Sequence, residues 1–365
     1  MEKQPMICCV KCFKDSEIIA IIESLEVKGD CEVCNQTDVF IYDTDQNNRL
    51  TELLEGLVEI YTPASEMPEE LKKYRADFSL LKDELHTKWN LFNVDSSKAY
   101  ELIIGICKGK YEQSPGLFEE AVGIRKMYDT EFKKTHSILK NATWKQFTEG
   151  IKHQNRFHIE SFNAEVFRKI IGYASTTYEK GHIFYRARLS NERDIPFPTN
   201  EMGPPPKGMS TNGRVNPYGI SCLYLASNED IAIKEIRAGL HDNVTIAKFE
   251  LLEKIEVIDF TMIDKFSPFL GADLDFNYEK YAVNKEHLVH IANEVLLPSK
   301  RGDSQLNYLP SQYISDFIKS RGRNGVKYQS TMDKTGFNIA VFDENLLDCR
   351  EVSFHRVTEI YYKWE

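Results

Sequence analysis

A paired cysteine motif near the start of the chain restricts its fold more than any other feature: Cys9-x-x-Cys12, eighteen intervening residues, then Cys31-x-x-Cys34. Each C-x-x-C loop can set two thiolates on one tetrahedral ion, and two loops close the shell with four. A closed shell leaves no position for water, so such an ion is structural. The doubled motif favours zinc over a redox pair or chance clustering. Cys8 is an alternative to Cys9, with poorer spacing to Cys12. Between the two loops, Asp15 or Ser16 is placed to cap a short helix through Leu25, with Ile18, Ile19, Ile22 and Leu25 as its apolar stripe. Residues 37–42, TDVFIY, read as a strand.

Eight cysteines in 365 residues do not make a disulfide scaffold, and Cys107, Cys222 and Cys349 read as ordinary buried thiols among apolar residues. A chain of this length exceeds one hydrophobic core and predicts two domains or more. Its net charge of -10 argues against broad binding to nucleic acid or an anionic membrane. A site for a phosphorylated ligand must therefore build its own positive field. No run reaches the ~20 apolar residues needed to span a bilayer. The opening MEKQPMICC lacks an apolar signal core, so the expected address is the cytoplasm.

From Leu50 to Ala174 the pattern reads as mainly helical. Leu53, Leu54, Leu57 and Val58 form one stripe, and Ser96 or Ser97 opens a segment carrying Tyr100, Leu102, Ile103 and Ile106. Residues 117–139 read as a longer amphipathic stretch, followed by a segment with Trp144, Phe147 and Ile151. His153, Arg156 and His158 suggest ribonuclease chemistry, but nothing else at a mechanistic spacing supports it. His287-x-x-His290 lies on one helix face without an evident third ligand, so packing is the better reading.

The C-terminal half carries the chemistry. HIFYRAR (182–188) reads as a strand with Phe184, Arg186 and Arg188 on one face. Residues 194–213 are rich in proline and glycine, which suits a semi-rigid lid over a cleft or a surface excursion. After GRVNP comes the strand ISCLYLAS, with Cys222 and Tyr224 on one face, then a helix, EDIAIKEIRAG, opened by Ser227 or Asn228. Glu235 lies on that helix beside Ile231, Ala232 and Ala238, a carboxylate on a largely apolar face. A helix opened by Tyr308–Tyr313 and running through Ser320, the strand VKYQS carrying Tyr328 and Ser330, and the buried strand FNIAVF complete the pattern.

In order, YRAR, the GPPP loop, GRVNPYGISCLYLAS, the helix with Glu235, YLPSQYISDFIKSRGRNGVKYQS and NIAVF make residues 165–345 resemble the RES domain family. The Cys-rich and helical segments before them resemble an N-terminal extension of that family, related by name to HEPN domains. The nuclease motif R-x4-6-H of some HEPN domains is absent from residues 51–165, so nuclease activity is not carried over.

The resemblance implies an α+β chain. A zinc-binding four-cysteine module would span 1–45, a helical domain 46–164, a RES domain with an ADP-ribosyltransferase-like fold on a mixed β-sheet core 165–345, and a tail 346–365. It also implies an enzyme that degrades NAD by hydrolysis or phosphorolysis, acting as a bacterial toxin or in antiviral defence. The alternatives are a mono-ADP-ribosyltransferase acting on a protein and a non-catalytic NAD- or partner-binding adaptor. Implied partners are NAD, inorganic phosphate or a protein acceptor, and an antitoxin or other inhibitor. Zinc would be structural and NAD the substrate. By the same resemblance Glu235, Tyr224 and Arg186 are the catalytic residues: Arg186 and Arg214 hold the pyrophosphate, Tyr224 packs on the pyridinium or ribose, Glu235 is the carboxylate, and Ser330 bonds a phosphate or the acceptor.

Overall fold

The computed structural model describes residues 6–190, 195–270, 277–296, 305–333 and 335–361. The chain divides into two compact units, Met1–Ser137 with Ser267–Asn284, and Ile138–Phe266 with Lys285–Glu365. The boundary at Ser137 falls inside the stretch expected to form one helical domain. Among the described residues, no helix is long and apolar enough to cross a membrane.

In the first unit, strands β1 (Ile7–Cys9), β2 (Lys28–Gly29) and β3 (Val39–Asp43) form an antiparallel sheet in the order β1-β3-β2. The helix between the cysteine loops runs from Ser16 to Glu23. Asp15, rather than Ser16, is its cap, accepting from the backbone N–H groups of Glu17 and Ile18 at 3.0 and 3.1 Å. Such a cap contributes about 1 kcal/mol. Ile18 and Ile22 are buried on its inner face. Asp95, rather than Ser96 or Ser97, likewise caps helix Ser96–Ile106.

The first unit also departs from the helical expectation. Strands β4 (Tyr61–Pro63), β5 (Ser79–Leu80) and β6 (Ala121–Ile124) form a second small sheet in the order β4-β6-β5. Residues 117–139 are therefore a short helix, a strand and a further helix, Thr130–His136, rather than one amphipathic stretch. The reason lies at Gly123, where an added Cβ would stand 2.6 Å from the Phe78 ring. The bare backbone lets that ring close on the strand, and packing of this kind overrides helical spacing.

The second unit is built on strands β7 (Ser175–Tyr178), β8 (Ile183–Leu189), β9 (Leu223–Ala226), β10 (Asn243–Leu251), β11 (Ile255–Asp259), β12 (Gly325–Gln329), β13 (Phe337–Val341) and β14 (Leu347–Arg356). Their order in one mixed sheet is β14-β10-β8-β9-β13-β12-β11-β7, with β11 and β12 parallel and the other neighbours antiparallel. The stretch set apart as a tail from residue 346 thus includes the edge strand, β14, paired with β10.

Alternation divides the side chains between two cores. Phe184, Leu223, Leu225, Phe249, Ile339 and Val341 fill one face. Ala187, Ala226, Val244 and Ile246 lie on the other, under Ile231 and Ala232 of helix Glu229–Glu235. Elsewhere in this unit, helices Trp144–His153, Ala164–Ile171 and Leu309–Ser320 meet through the rings of Phe147, Phe167, Tyr313 and Phe317.

Candidate active site

Strand β8 pairs with β10 from Leu189 to Ile183, but among the described residues it pairs with β9 only through Tyr185 and Ala226. Beyond that pair the two strands part, and a cleft of about 340 Å³ opens between them. It is lined by Arg186, Arg214, Tyr224 and Glu235, with Tyr185, Tyr308, Tyr328 and Asn338. Four of the five expected site residues of this half therefore meet in one cavity. The fifth, Ser330, is bonded to Glu235.

Arg186 brings a buried guanidinium to the lining of the cleft. Burial, with the neighbouring Arg188 charge, pulls its pKa down to about 10. It therefore keeps its charge at neutral pH. Its Nη1 is buried and has no hydrogen-bond partner among the described residues. A buried guanidinium nitrogen left without an acceptor is costly. An anionic guest in the cleft would supply the acceptor, and the planar fork suits phosphate oxygens.

Glu235 is the last residue of its helix, which Asn228 caps by accepting from Ile231 N–H at 2.9 Å. The helix stops sooner than its sequence suggests, because Arg237 turns into the left-handed region at φ 52°. A carboxylate at a helix C-terminus faces the negative end of the dipole. Here donors from outside the helix offset that. Ser330 Oγ–H and Asn338 Nδ2–H both donate to Glu235 Oε1, each at 2.7 Å. Ser330 Oγ in turn accepts from the N–H groups of Met332 and Asp333 at 3.1 and 3.3 Å. The single Ser330 proton is thus committed to Glu235, and the residue is only 1% exposed.

The loop that carries Arg214 is tied down from both sides. Tyr224 Oη donates to Asn216 Oδ1 at 2.6 Å and accepts from Val215 N–H at 3.2 Å. Burial pushes the Tyr224 hydroxyl well above the usual phenol range. From helix Leu309–Ser320, Gln312 Nε2 donates to the carbonyls of Gly213 and Asn216, and Ser311 Oγ to that of Arg214. Gly213 is required here, since an added Cβ would stand 2.3 Å from Asn216 Oδ1 and 2.5 Å from Tyr224 Oη. Arg214 then lies over the Tyr328 ring, 5.7 Å from its centroid, within cation–π range.

Of the Pro/Gly-rich loop, Asp194 lies outside the described residues. The part that follows folds on itself, with Gly208 N–H donating to Gly219 C=O and Gly219 N–H to Ser210 C=O.

In the first unit the thiols of Cys9, Cys12, Cys31 and Cys34 lie within 4.8 Å of one another, and none forms a disulfide. Individual separations are 3.4 Å for Cys9–Cys34, 3.6 Å for Cys12–Cys31 and 3.9 Å for Cys9–Cys12. Four sulfurs about 2.3 Å from one zinc ion would stand about 3.8 Å apart, so the donor set fits a tetrahedral metal. Cys8 is buried elsewhere in β1, opposite Tyr42, and is not among the four. The histidine motifs join neither site: His153 faces Glu149 at 3.7 Å, and His290 faces Glu286 at 3.6 Å and stacks on Trp144.

Sequence reasoning passed over Asn338, Asn216 and Gln312. The signal for the first was a lone amide in the apolar run FNIAVF. Asn338 is only 5% exposed, and a buried amide needs a partner.

No curated protein matches the chain. Among solved structures, one match is a chain of the "Crystal structure of the M.tuberculosis MbcT-MbcA toxin-antitoxin complex". It is 15% identical, with 52% of this chain and 91% of that chain covered, at a TM-score of 0.29. A likeness at that score carries nothing over to this chain. The RES domain family model matches residues 183–365, half of the chain, starting later and ending later than the sequence motifs suggested. With that model covering half of its length, this chain belongs to the RES domain family.

Proposed function

We propose that this protein cleaves the nicotinamide–ribose bond of NAD. The observation that carries the reading is the pairing, in one cleft, of a carboxylate held by two donors with a buried guanidinium nitrogen that has no acceptor among the described residues. Family membership adds to it, since RES toxins are in general NAD-acting enzymes.

The chemistry needs no acid. The C–N glycosidic bond breaks with its electron pair passing to the pyridinium ring, which leaves as neutral nicotinamide. The ribose becomes oxocarbenium-like, as in glycoside hydrolysis. Glu235 stabilises that developing charge from a fixed position. Water or phosphate oxygen then bonds to the anomeric carbon, and water gives up its proton to solvent. Arg186 and Arg214 hold the pyrophosphate. The Tyr224 ring packs against the sugar or base, while its hydroxyl serves the Arg214 loop. Ser330 acts through Glu235.

The thiol cluster has the donor chemistry of a structural zinc site, held by Cys9, Cys12, Cys31 and Cys34. Zinc there would supply folding energy to the N-terminal module and no step of the reaction.

Product analysis of labelled NAD in phosphate and in phosphate-free buffer tests the function. Free ADP-ribose means hydrolysis, ADP-ribose-1''-phosphate means phosphorolysis, and label retained on protein means transfer to an acceptor. NAD left intact in both buffers would overturn the reading.

A further inference from the structure

We propose that Asn338 is a positioning residue for the reaction, holding Glu235 so that one chosen carboxylate oxygen faces the substrate. The inference rests on the reading of Glu235 as the carboxylate that meets the developing ribose cation.

Three observations carry it. The first is convergence on a single atom. Asn338 Nδ2 and Ser330 Oγ both donate to Oε1 of Glu235, at 2.7 Å each. No hydrogen bond to Oε2 occurs among the described residues, so that oxygen remains for the cleft that Glu235 lines. One donor would leave the carboxylate free to swing about its contact. Two donors from separate points of the chain fix both its place and its plane.

The second observation is where the donor is mounted. Asn338 stands on β13, inside the sheet between β9 and β12, with Ala226 and Tyr328 as its cross-strand neighbours. Its neighbour Ile339 enters the apolar core on the opposite face. A side chain on a rigid interior strand holds a partner more precisely than one on a loop.

The third is the packing that brings this strand to the helix. Phe337 N–H donates to Ser227 Oγ at 3.1 Å, next to the helix cap. A Cβ at Gly336 would come within 2.7 Å of Ile231 Cγ1 and 2.8 Å of Ser227 Oγ. The turn before β13 is thus seated directly on the helix that ends in Glu235.

Asn338 therefore acts through Glu235, and its removal should raise the barrier more than it weakens substrate binding. The test compares the full-length wild type, Asn338→Ala, Asn338→Leu, Glu235→Gln and the Asn338→Ala/Glu235→Gln double variant. NAD turnover and thermal unfolding are measured for each. Asn338→Leu keeps the size of the side chain, carries no donor and adds no charge beside Glu235, so it decides the matter if the alanine variant does not fold. We expect kcat to fall about 10- to 100-fold in either single Asn338 variant, the scale of a misplaced reacting group, with KM within about threefold. In the Glu235→Gln background, Asn338→Ala should cost no further activity, because the charge it positions is already gone. A folded Asn338→Ala or Asn338→Leu protein with wild-type kcat would overturn the proposal. So would a loss confined to KM, or a full additive loss in the double variant. A wild type that leaves NAD intact would overturn the functional reading itself, and that outcome is told apart because it appears before any substitution is made.

Discussion

The four thiols of the first unit come from one stretch of chain, Cys9 to Cys34, and the short helix between them is closed by its own cap. The cleft of the second unit draws Arg186 and Asn338 from two strands, Arg214 from a loop and Glu235 from a helix end, and they meet where two neighbouring strands part after the one residue pair found among the described residues. The two sites also satisfy their polar atoms differently. Each thiol lies close to others of its kind, a set that one tetrahedral cation would satisfy together. In the cleft, Arg186 Nη1 is buried with no hydrogen-bond partner among the described residues. A cation would complete the first arrangement, and an anion the second. The two candidate sites thus differ in the charge of the guest that each would take.

The largest effect should come from the thiols. Cys12→Ser leaves an incomplete shell, and structural zinc contributes on the order of 10 kcal/mol to small domains of this kind. Elemental analysis should fall from one zinc per chain to none. Hydrogen exchange should show loss of protection in β1, β3 and helix Ser16–Glu23. Wild-type protein purified without chelator and found free of zinc would remove this half of the comparison.

Next is Arg186. Arg186→Lys keeps the charge and loses the fork, and should weaken NAD binding by roughly tenfold or more, the worth of a lost charge-assisted hydrogen bond. Arg186→Met should weaken binding further, yet leave thermal stability unchanged or raised, since it removes a buried charge whose Nη1 has no hydrogen-bond partner among the described residues. Calorimetric titration beside thermal melts reads both. A large stability loss in the methionine variant would show that Arg186 is a structural ion.

A smaller effect is expected at Gly213. Gly213→Ala drives a methyl group into the Tyr224–Asn216 hydrogen bond. Overpacking of that kind costs about 1–3 kcal/mol. The melting temperature should drop and KM for NAD rise as the Arg214 loop shifts. An unchanged melt would mean the loop is looser than its bonds suggest.

How much of this was legible in the sequence follows from how local each feature is. The clustering of the four cysteines, the helix between them and a cap at Ser227 or Asn228 were readable because spacing and capping act within a few residues. The helix carrying Glu235 was readable, but its early stop was not, since a left-handed Arg237 has no strong sequence mark. The small β4-β6-β5 sheet was missed because strands of two to four residues hold too little alternation to compete with a helical reading. Asn338 was hidden for a different reason. In FNIAVF it looks like a blemish in an apolar strand, and only the sheet order shows that it stands beside Glu235. The edge strand β14 likewise carries too many exposed polar residues to look like part of a core sheet.

The proposed chemistry turns on the charge of Glu235, and one substitution isolates it. Glu235→Gln keeps the size of the side chain and an oxygen for the Ser330 and Asn338 donors, and removes the negative charge. NAD consumption by wild type and variant should be measured side by side, with NAD affinity and thermal stability recorded on the same preparations. We expect turnover to fall by about 10²–10³, the usual cost of one preorganised electrostatic partner, with affinity and stability close to wild type. A stable Gln variant that consumes NAD at the wild-type rate would contradict both the mechanism and the placement of the site at the end of this helix.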